Sequence, residues 1–186
     1  MTILSKPELR ARMRNVRRGC AAAAPDAALR AATVLPLERL PAFAVYGGYH
    51  ALGAELDPRP LIVRLGATGA RLALPAAASL RAALEFRAAD GELEADGLGI
   101  PSPPATAEVL LPDMVIVPLL AFDRRGGRLG QGAGFYDRAL ASLRALKPVF
   151  ALGLAYAGQE VEAVPTEPHD QPLDAILTEI GYIDLG

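Results

Sequence analysis

Apolar residues along this chain arrive in short bursts, and two periods organise them. From Ser5 the pattern is helical. Ser5-Lys6-Pro7-Glu8 has the form of a capping box with proline in the first turn, and Leu9, Met13 and Val16 follow at three- and four-residue intervals. Arg10, Arg12, Arg14, Arg17 and Arg18 surround that stripe. A second helix is predicted over Pro25–Leu35, a short third one opened by proline over Pro58–Leu65, and a fourth over Tyr136–Leu146. Between them lie apolar runs of four to eight residues: Ala42–Tyr49, Arg71–Leu74, Leu84–Ala88, Met114–Leu120, Val149–Ala155 and Ala175–Thr178. Short buried runs alternating with helices predict an α/β fold whose sheet is largely parallel and covered on both faces. Ile100–Pro104 reads as a proline-rich connection. Nothing repeats and no boundary divides the chain, so a single domain over residues 1–186 is expected.

One stretch departs from both periods. Residues 126 to 138 read G-G-R-L-G-Q-G-A-G-F-Y-D-R, with Gly130, Gly132 and Gly134 at alternate positions. The stretch follows the apolar run Val115–Phe122 and leads into the Tyr136–Leu146 helix. Strand, glycine loop and helix N-terminus together aim bare backbone amides and a positive dipole end at an anion. Arg128 and Arg138 flank the loop as fixed cations, and Asp137 offers a carboxylate where a phosphate-bound metal would sit. Glycines at this spacing also occur in ordinary turns. Two familiar nucleotide motifs are excluded: Phe135 stands where a dinucleotide fingerprint needs its third glycine, and neither Lys6 nor Lys147 follows a glycine as a Walker A lysine must.

Composition narrows the class further. A net charge of −2 argues against a bulk nucleic-acid binder. The single cysteine, Cys20, permits no internal disulfide and suits a reducing compartment. No apolar stretch approaches the roughly 18 residues needed to span a bilayer, and no long apolar leader segment opens the chain. A soluble, cytoplasmic protein without membrane or nucleic-acid partners is expected.

Three further segments accompany the glycine loop: K-P-E-L-R (Lys6 to Arg10), Y-H-A-L-G-A-E-L-D (Tyr49 to Asp57) and V-P-T-E-P-H-D-Q-P-L-D-A-I-L-T-E (Val164 to Glu179). In this order, with V-P-L-L-A-F-D and G-R-L-G-Q-G-A-G-F-Y-D-R between them, they resemble the 5-formyltetrahydrofolate cyclo-ligase (5,10-methenyltetrahydrofolate synthetase) family across nearly the whole chain. The resemblance implies a three-layer α/β/α, Rossmann-like fold and a monomer. It also implies ATP-dependent cyclisation of 5-formyltetrahydrofolate, with or without a polyglutamate tail, to 5,10-methenyltetrahydrofolate with release of ADP and phosphate. Magnesium is the implied cofactor. The γ-phosphoryl group would activate the formyl oxygen as an iminophosphate, N10 would attack, and phosphate would leave.

Carried onto this chain, the family pattern implies that Lys6 and Arg10 bind ATP phosphates. Arg128, Leu129, Gly130, Gln131, Gly132, Ala133, Gly134, Phe135 and Tyr136 would form the nucleotide loop. Asp137 and Asp170 would hold Mg²⁺, with Asp174 a rival carboxylate nearby. His50 and Glu55 would face the folate, where Glu55 matches the amino and ring N–H groups of a pterin. Tyr136 and Arg128 would stand at the reacting formyl and phosphoryl groups. Family members often carry arginine, lysine or aromatics where this chain has Gln131 and Ala133, and threonine where it has Pro58. Two other readings of the same residues are a non-catalytic folate- or nucleotide-binding relative, and a sugar-phosphate isomerase or CoA-transferase-like enzyme.

Overall fold

A computed structural model of the protein describes residues 4–76 and 84–186. In chain order the elements are α1 (Lys6–Ala23), α2 (Ala27–Val34), β1 (Val45–Gly47), α3 (Arg59–Gly66), β2 (Arg71–Ala76), β3 (Glu85–Ala88), β4 (Glu94–Ala95), β5 (Pro101–Ser102), β6 (Met114–Pro118), β7 (Ala121–Phe122), β8 (Arg128–Leu129), α4 (Phe135–Arg144), β9 (Phe150–Leu154), β10 (Ala175–Thr178) and β11 (Gly181–Asp184). Seven strands form the main sheet in the order β11-β10-β9-β6-β1-β2-β3. Its five central strands run parallel, and an antiparallel strand closes each edge, β3 on β2 and β11 on β10.

Period-two alternation in the central strands builds a core on each face. Met114, Ile116, Leu152, Leu154, Ala175 and Leu177 point to one side, where they meet Ala27, Ala31 and Leu35 around α2 and Leu61 and Leu65 of α3. Val115, Val117, Ala151 and Ile176 point to the other, against Ala139, Leu140 and Leu143 of α4. The strands are buried on both faces, which is why they read as unbroken apolar runs. This is the three-layer arrangement the resemblance implied. Gly153 of β9 is needed for close approach, since a Cβ there would lie 2.7 Å from Leu173 Cδ1.

A third, smaller core sits beyond the carboxyl ends of the parallel strands. Leu9 and Met13 of α1 pack on Leu120, Ala121, Leu129 and Val164. The capping box is formed: Ser5 N and Oγ both reach Glu8 Oε2, at 2.9 and 2.6 Å. Helix α1 is thereby laid across the end of the sheet where ligands collect in open α/β folds.

Several boundaries differ from the sequence reading. The run Met114–Leu120 stops at Pro118, which has no N–H with which to continue a ladder. The chain then turns, and Ala121–Phe122 pairs antiparallel with Arg128–Leu129. A hairpin therefore stands between the strand and the glycine loop. Val45–Gly47 is shorter than the predicted Ala42–Tyr49, and α4 starts at Phe135 rather than Tyr136. Ile100–Pro104 is not merely a connection, because Pro101–Ser102 pairs with Glu94–Ala95. No helix among the described residues is long and apolar enough to cross a membrane.

The β7–β8 hairpin is pinned by one buried carboxylate. Asp123 Oδ1 accepts hydrogen bonds from the Arg125 and Gly127 amides (2.9 and 3.0 Å), and Oδ2 accepts one from the Val164 amide (2.8 Å). Burial opposes the charge, yet these three amides hold the Asp123 carboxyl below its ordinary range. Asp123→Ala is expected to lower unfolding stability by about 2–4 kcal/mol, because three amides lose a charged acceptor. A depressed carboxyl stabilises the fold fully above its unfolded value near pH ~4 and loses that contribution as pH falls through its lower folded value. The gap between wild type and variant in urea melts should therefore be constant from pH 6 to 8 and narrow below pH ~4.

Candidate functional site

A cavity of about 700 Å³ opens at the carboxyl ends of β1 and β6, between α1, the Tyr49–Glu55 loop and the glycine loop. The site residues picked out from the sequence line it, apart from the rival carboxylate Asp174: Lys6, Arg10, His50, Glu55, the unbroken run Arg128 to Asp137, and Asp170. Four segments far apart in the chain thus meet around one space.

On the glycine-loop side, the three glycines do different work. Gly132 has φ +110 and Gly134, the N-cap of α4, has φ +67, conformations that favour glycine. Gly130 has no such φ, and a Cβ there would meet nothing within 4 Å. Arginines hold the loop by its carbonyls. Arg10 Nε donates to Gly130 O at 3.0 Å, and Arg138 Nη1 donates to Ala133 O at 2.8 Å while lying over the Phe135 ring. Arg14 Nε reaches Gln131 Oε1 at 3.4 Å. Positive charge thus rings a loop that opens a helix, a suitable seat for a polyphosphate.

At the far end stand the carboxylates. Lys6 Nζ lies 2.6 Å from Glu167 Oε2 and 2.7 Å from Asp170 Oδ2. Burial works against the ammonium, but the hydrogen bonds it donates to Asp170 and Glu167 raise Lys6 above its usual value. Burial opposes the Asp170 charge, but the hydrogen bonds it accepts from the Lys6 ammonium and the Glu167 amide hold its carboxyl below the usual range. Among the described residues, Glu167, His169 and Asp170 bring ligand atoms within 4.8 Å of one another. Asp137 lies outside that trio, since its Oδ1 accepts from the Arg128 guanidinium and from the Gln171 amide at 3.0 Å. Asp174 does not line the cavity. Its Oδ2 accepts from Ala151 N (2.7 Å) and Arg144 Nη2 (2.8 Å), tying β9 to α4.

On the opposite wall, Glu55 is held from two sides: Oε1 by Arg17 Nη1 at 3.3 Å, Oε2 by the Leu52 amide at 3.0 Å. Among the described residues, His50 Nε2 is buried without a protein partner, an acceptor or donor available to a ligand. Tyr49 and Tyr136 flank Glu55. Burial first, and the Glu55 charge second, push both phenols up, so each enters chemistry as a neutral hydrogen-bond donor. Tyr49 already spends its hydroxyl on Leu56 O, at 2.5 Å, whereas Tyr136 faces the cavity. Pro58 occupies the N-cap of α3 without a capping side chain, and Asp57 Oδ1 accepts the Arg59 amide in its stead (3.0 Å).

The sequence reading missed three contributors. Leu98, Gly99 and Ile100 form a turn over the cavity, shaped by Asp96 Oδ1 accepting the Leu98 and Ile100 amides. A D-x-x-G turn was the signal. Glu167 completes the carboxylate cluster. Arg17, apparently one of a crowd of surface arginines, is buried at 6% exposure; its four-residue spacing from Met13 places it on the apolar stripe.

The backbone distinction among the glycines has a direct test. Gly132→Ala and Gly134→Ala should each lower stability by about 1–2 kcal/mol from left-handed strain, with Gly134→Ala also crowding Arg138, whose Nη1 would lie 3.0 Å from the new Cβ. Gly130→Ala should change the melting midpoint by less than the equivalent of ~0.5 kcal/mol. Equal losses at all three positions would contradict the assignment.

The sequence model of the 5-formyltetrahydrofolate cyclo-ligase family matches residues 2–179. The chain is 36% identical over 161 residues to the 5-formyltetrahydrofolate cyclo-ligase of Escherichia coli, covering 82% of this chain and 86% of that one. It is 35% identical over 139 residues to the enzyme of the same name from Mycolicibacterium smegmatis, with 70% and 71% covered. The NMR structure of Aquifex aeolicus 5,10-methenyltetrahydrofolate synthetase superimposes with a TM-score of 0.73 at 26% identity, over 98% of this chain and 93% of that one. This chain belongs to the 5-formyltetrahydrofolate cyclo-ligase family.

Proposed function

We infer that this cavity is where the chain, acting as a cyclo-ligase, converts 5-formyltetrahydrofolate to 5,10-methenyltetrahydrofolate with ATP and magnesium. Membership of the family supports the activity. One observation carries the location: the cationic glycine loop and the Glu55 wall face the same space. An isomerase would need no such polyphosphate seat.

The geometry supports the following division of labour. ATP lies along the glycine loop, its phosphates met by Lys6, Arg10, Arg128 and the α4 N-terminus. The pterin ring lies against Glu55 and His50, which fixes the formyl group toward the loop. The formyl oxygen attacks the γ-phosphorus and ADP leaves, giving an iminophosphate. N10 then attacks the formyl carbon, loses its proton, and the C–O bond breaks to release phosphate. Lys6, Arg10 and Arg128 offset charge on the transferred group, while the protonated phenol of Tyr136 donates a hydrogen bond near the formyl carbon. Tight placement contributes more here than acid–base work, because phosphorylation has already made a good leaving group.

Asp170 and Asp137 are the carboxylates proposed for magnesium, with Glu167 beside them. Oxygen donors suit a hard cation, and Lys6 already shows that this corner accepts positive charge. When bound, the ion would neutralise phosphate oxygens.

The activity is tested by mixing the protein with 5-formyltetrahydrofolate, ATP and Mg²⁺ and following the long-wavelength absorbance of the methenyl product. A rise that requires ATP is expected; tight binding without turnover would indicate a non-catalytic relative. Arg10→Ala should raise KM for ATP by roughly tenfold, the usual loss for one charge-assisted phosphate contact. Asp170→Asn and Asp137→Asn should each raise the Mg²⁺ concentration giving half-maximal rate. If Asp137→Asn leaves that concentration unmoved, Asp137 serves only as the counter-ion of Arg128.

A further inference from the structure

We propose that Arg17 is a positioning residue for folate binding, fixing the Glu55 carboxylate from behind the cavity wall. The inference rests on the contact between Glu55 and folate proposed above. Arg17 does not line the cavity, whereas Glu55 does. Both side chains are only 7% exposed, and Arg17 Nη1 lies 3.3 Å from Glu55 Oε1 and 3.4 Å from Leu119 O. Together with the Leu52 amide on Oε2, this fixes the plane of the carboxylate from two directions. A carboxylate so placed still has lone pairs directed at a ligand, since each oxygen accepts two hydrogen bonds.

The energetics favour a functional reading over a packing one. A buried guanidinium is costly, and a well-packed apolar side chain of similar volume would serve a core as well or better. Here the cost is left incompletely offset, because Arg17 Nε is buried with no partner among the described residues. What the charge supplies is a counter-ion for Glu55, without which that group would be an uncompensated charge in the wall.

Placement on α1 adds a second consequence. At 3.6 residues per turn, Lys6, Arg10, Met13 and Arg17 fall on one face of the helix, with Lys6 and Arg17 about 16 Å apart. The same rigid element presents Lys6 and Arg10 to the glycine loop and Arg17 to Glu55. Only the last of these bears on the folate wall, so its loss should be felt by one substrate and not the other.

Steady-state kinetics and melting temperatures would be measured for wild type, Arg17→Met, Arg17→Lys, Glu55→Gln and the double variant Arg17→Met/Glu55→Gln. Arg17→Met is expected to raise KM for 5-formyltetrahydrofolate at least roughly tenfold, the scale for truncating one partner of a buried charge pair, with KM for ATP within about twofold of wild type. Arg17→Lys, which keeps the charge, should recover part of that loss. The double variant should be no more than about twofold worse than Glu55→Gln, since both changes remove one interaction. A purely structural role would instead lower the melting temperature and raise both KM values alike, overturning the proposal. Unchanged folate KM in Glu55→Gln would remove the Glu55 contact and this inference with it. A raised folate KM in Glu55→Gln but not in Arg17→Met would overturn this inference alone. Should Arg17→Met fail to fold, Arg17→Lys decides: a raised folate KM with an unchanged ATP KM supports the proposal, and equal changes in both refute it.

Discussion

A small apolar seam holds the working end of this protein together. Leu9 and Met13 on α1 dock against Leu120, Ala121, Leu129 and Val164, beyond the last hydrogen bonds of the main sheet. Two fully buried side chains of this size contribute about 1.5–3 kcal/mol each, enough to hold one helix across the mouth of the cavity. Everything α1 carries depends on that docking: Lys6 against Asp170, Arg10 against the Gly130 carbonyl, Arg17 against Glu55. The seam also explains the hairpin between β6 and the glycine loop. By turning at Pro118 and pairing β7 with β8, the chain presents Leu120, Ala121 and Leu129 as a floor for the helix, and Asp123 locks that turn to Val164.

The main sheet was legible because its strands are buried on both faces, so Met114–Pro118 and Phe150–Leu154 had to be continuous apolar runs. The fragments the pattern hid are those whose partners, not their composition, make them strands. Residues Gly181–Asp184 end the chain as an edge strand holding a glycine and an aspartate, and β4, β5, β7 and β8 are two residues each. A two-residue ladder leaves no period to detect.

The candidate site divides in the same way. Loop residues such as Gly132 and Gly134 announce themselves because backbone conformation selects glycine locally. Lys6 and Arg10 were readable only as members of a spaced set, their partners Asp170 and Gly130 being more than a hundred residues away. Arg17 was concealed by its neighbours. Five arginines within nine positions look uniformly solvated, yet the helical angle separates the exposed Arg12, Arg14 and Arg18 from the one that turns inward.

The two unusual loop positions take on a different meaning once the arginines are placed. Gln131 and Ala133 supply no charge of their own, but the loop is not short of cations. Arg14 reaches the Gln131 side chain from α1, and Arg138 grips the Ala133 carbonyl from the first turn of α4 while stacking on Phe135. Charge delivered from two helices is held more rigidly than charge carried on the loop itself, because the helix backbone fixes where each side chain begins. The cations therefore stand at the flanks of the glycine segment rather than on it. A phosphate seated there would meet backbone N–H groups first and guanidinium groups at its rim, so its affinity would depend on the conformation of Gly132 and Gly134 more than on any one loop side chain.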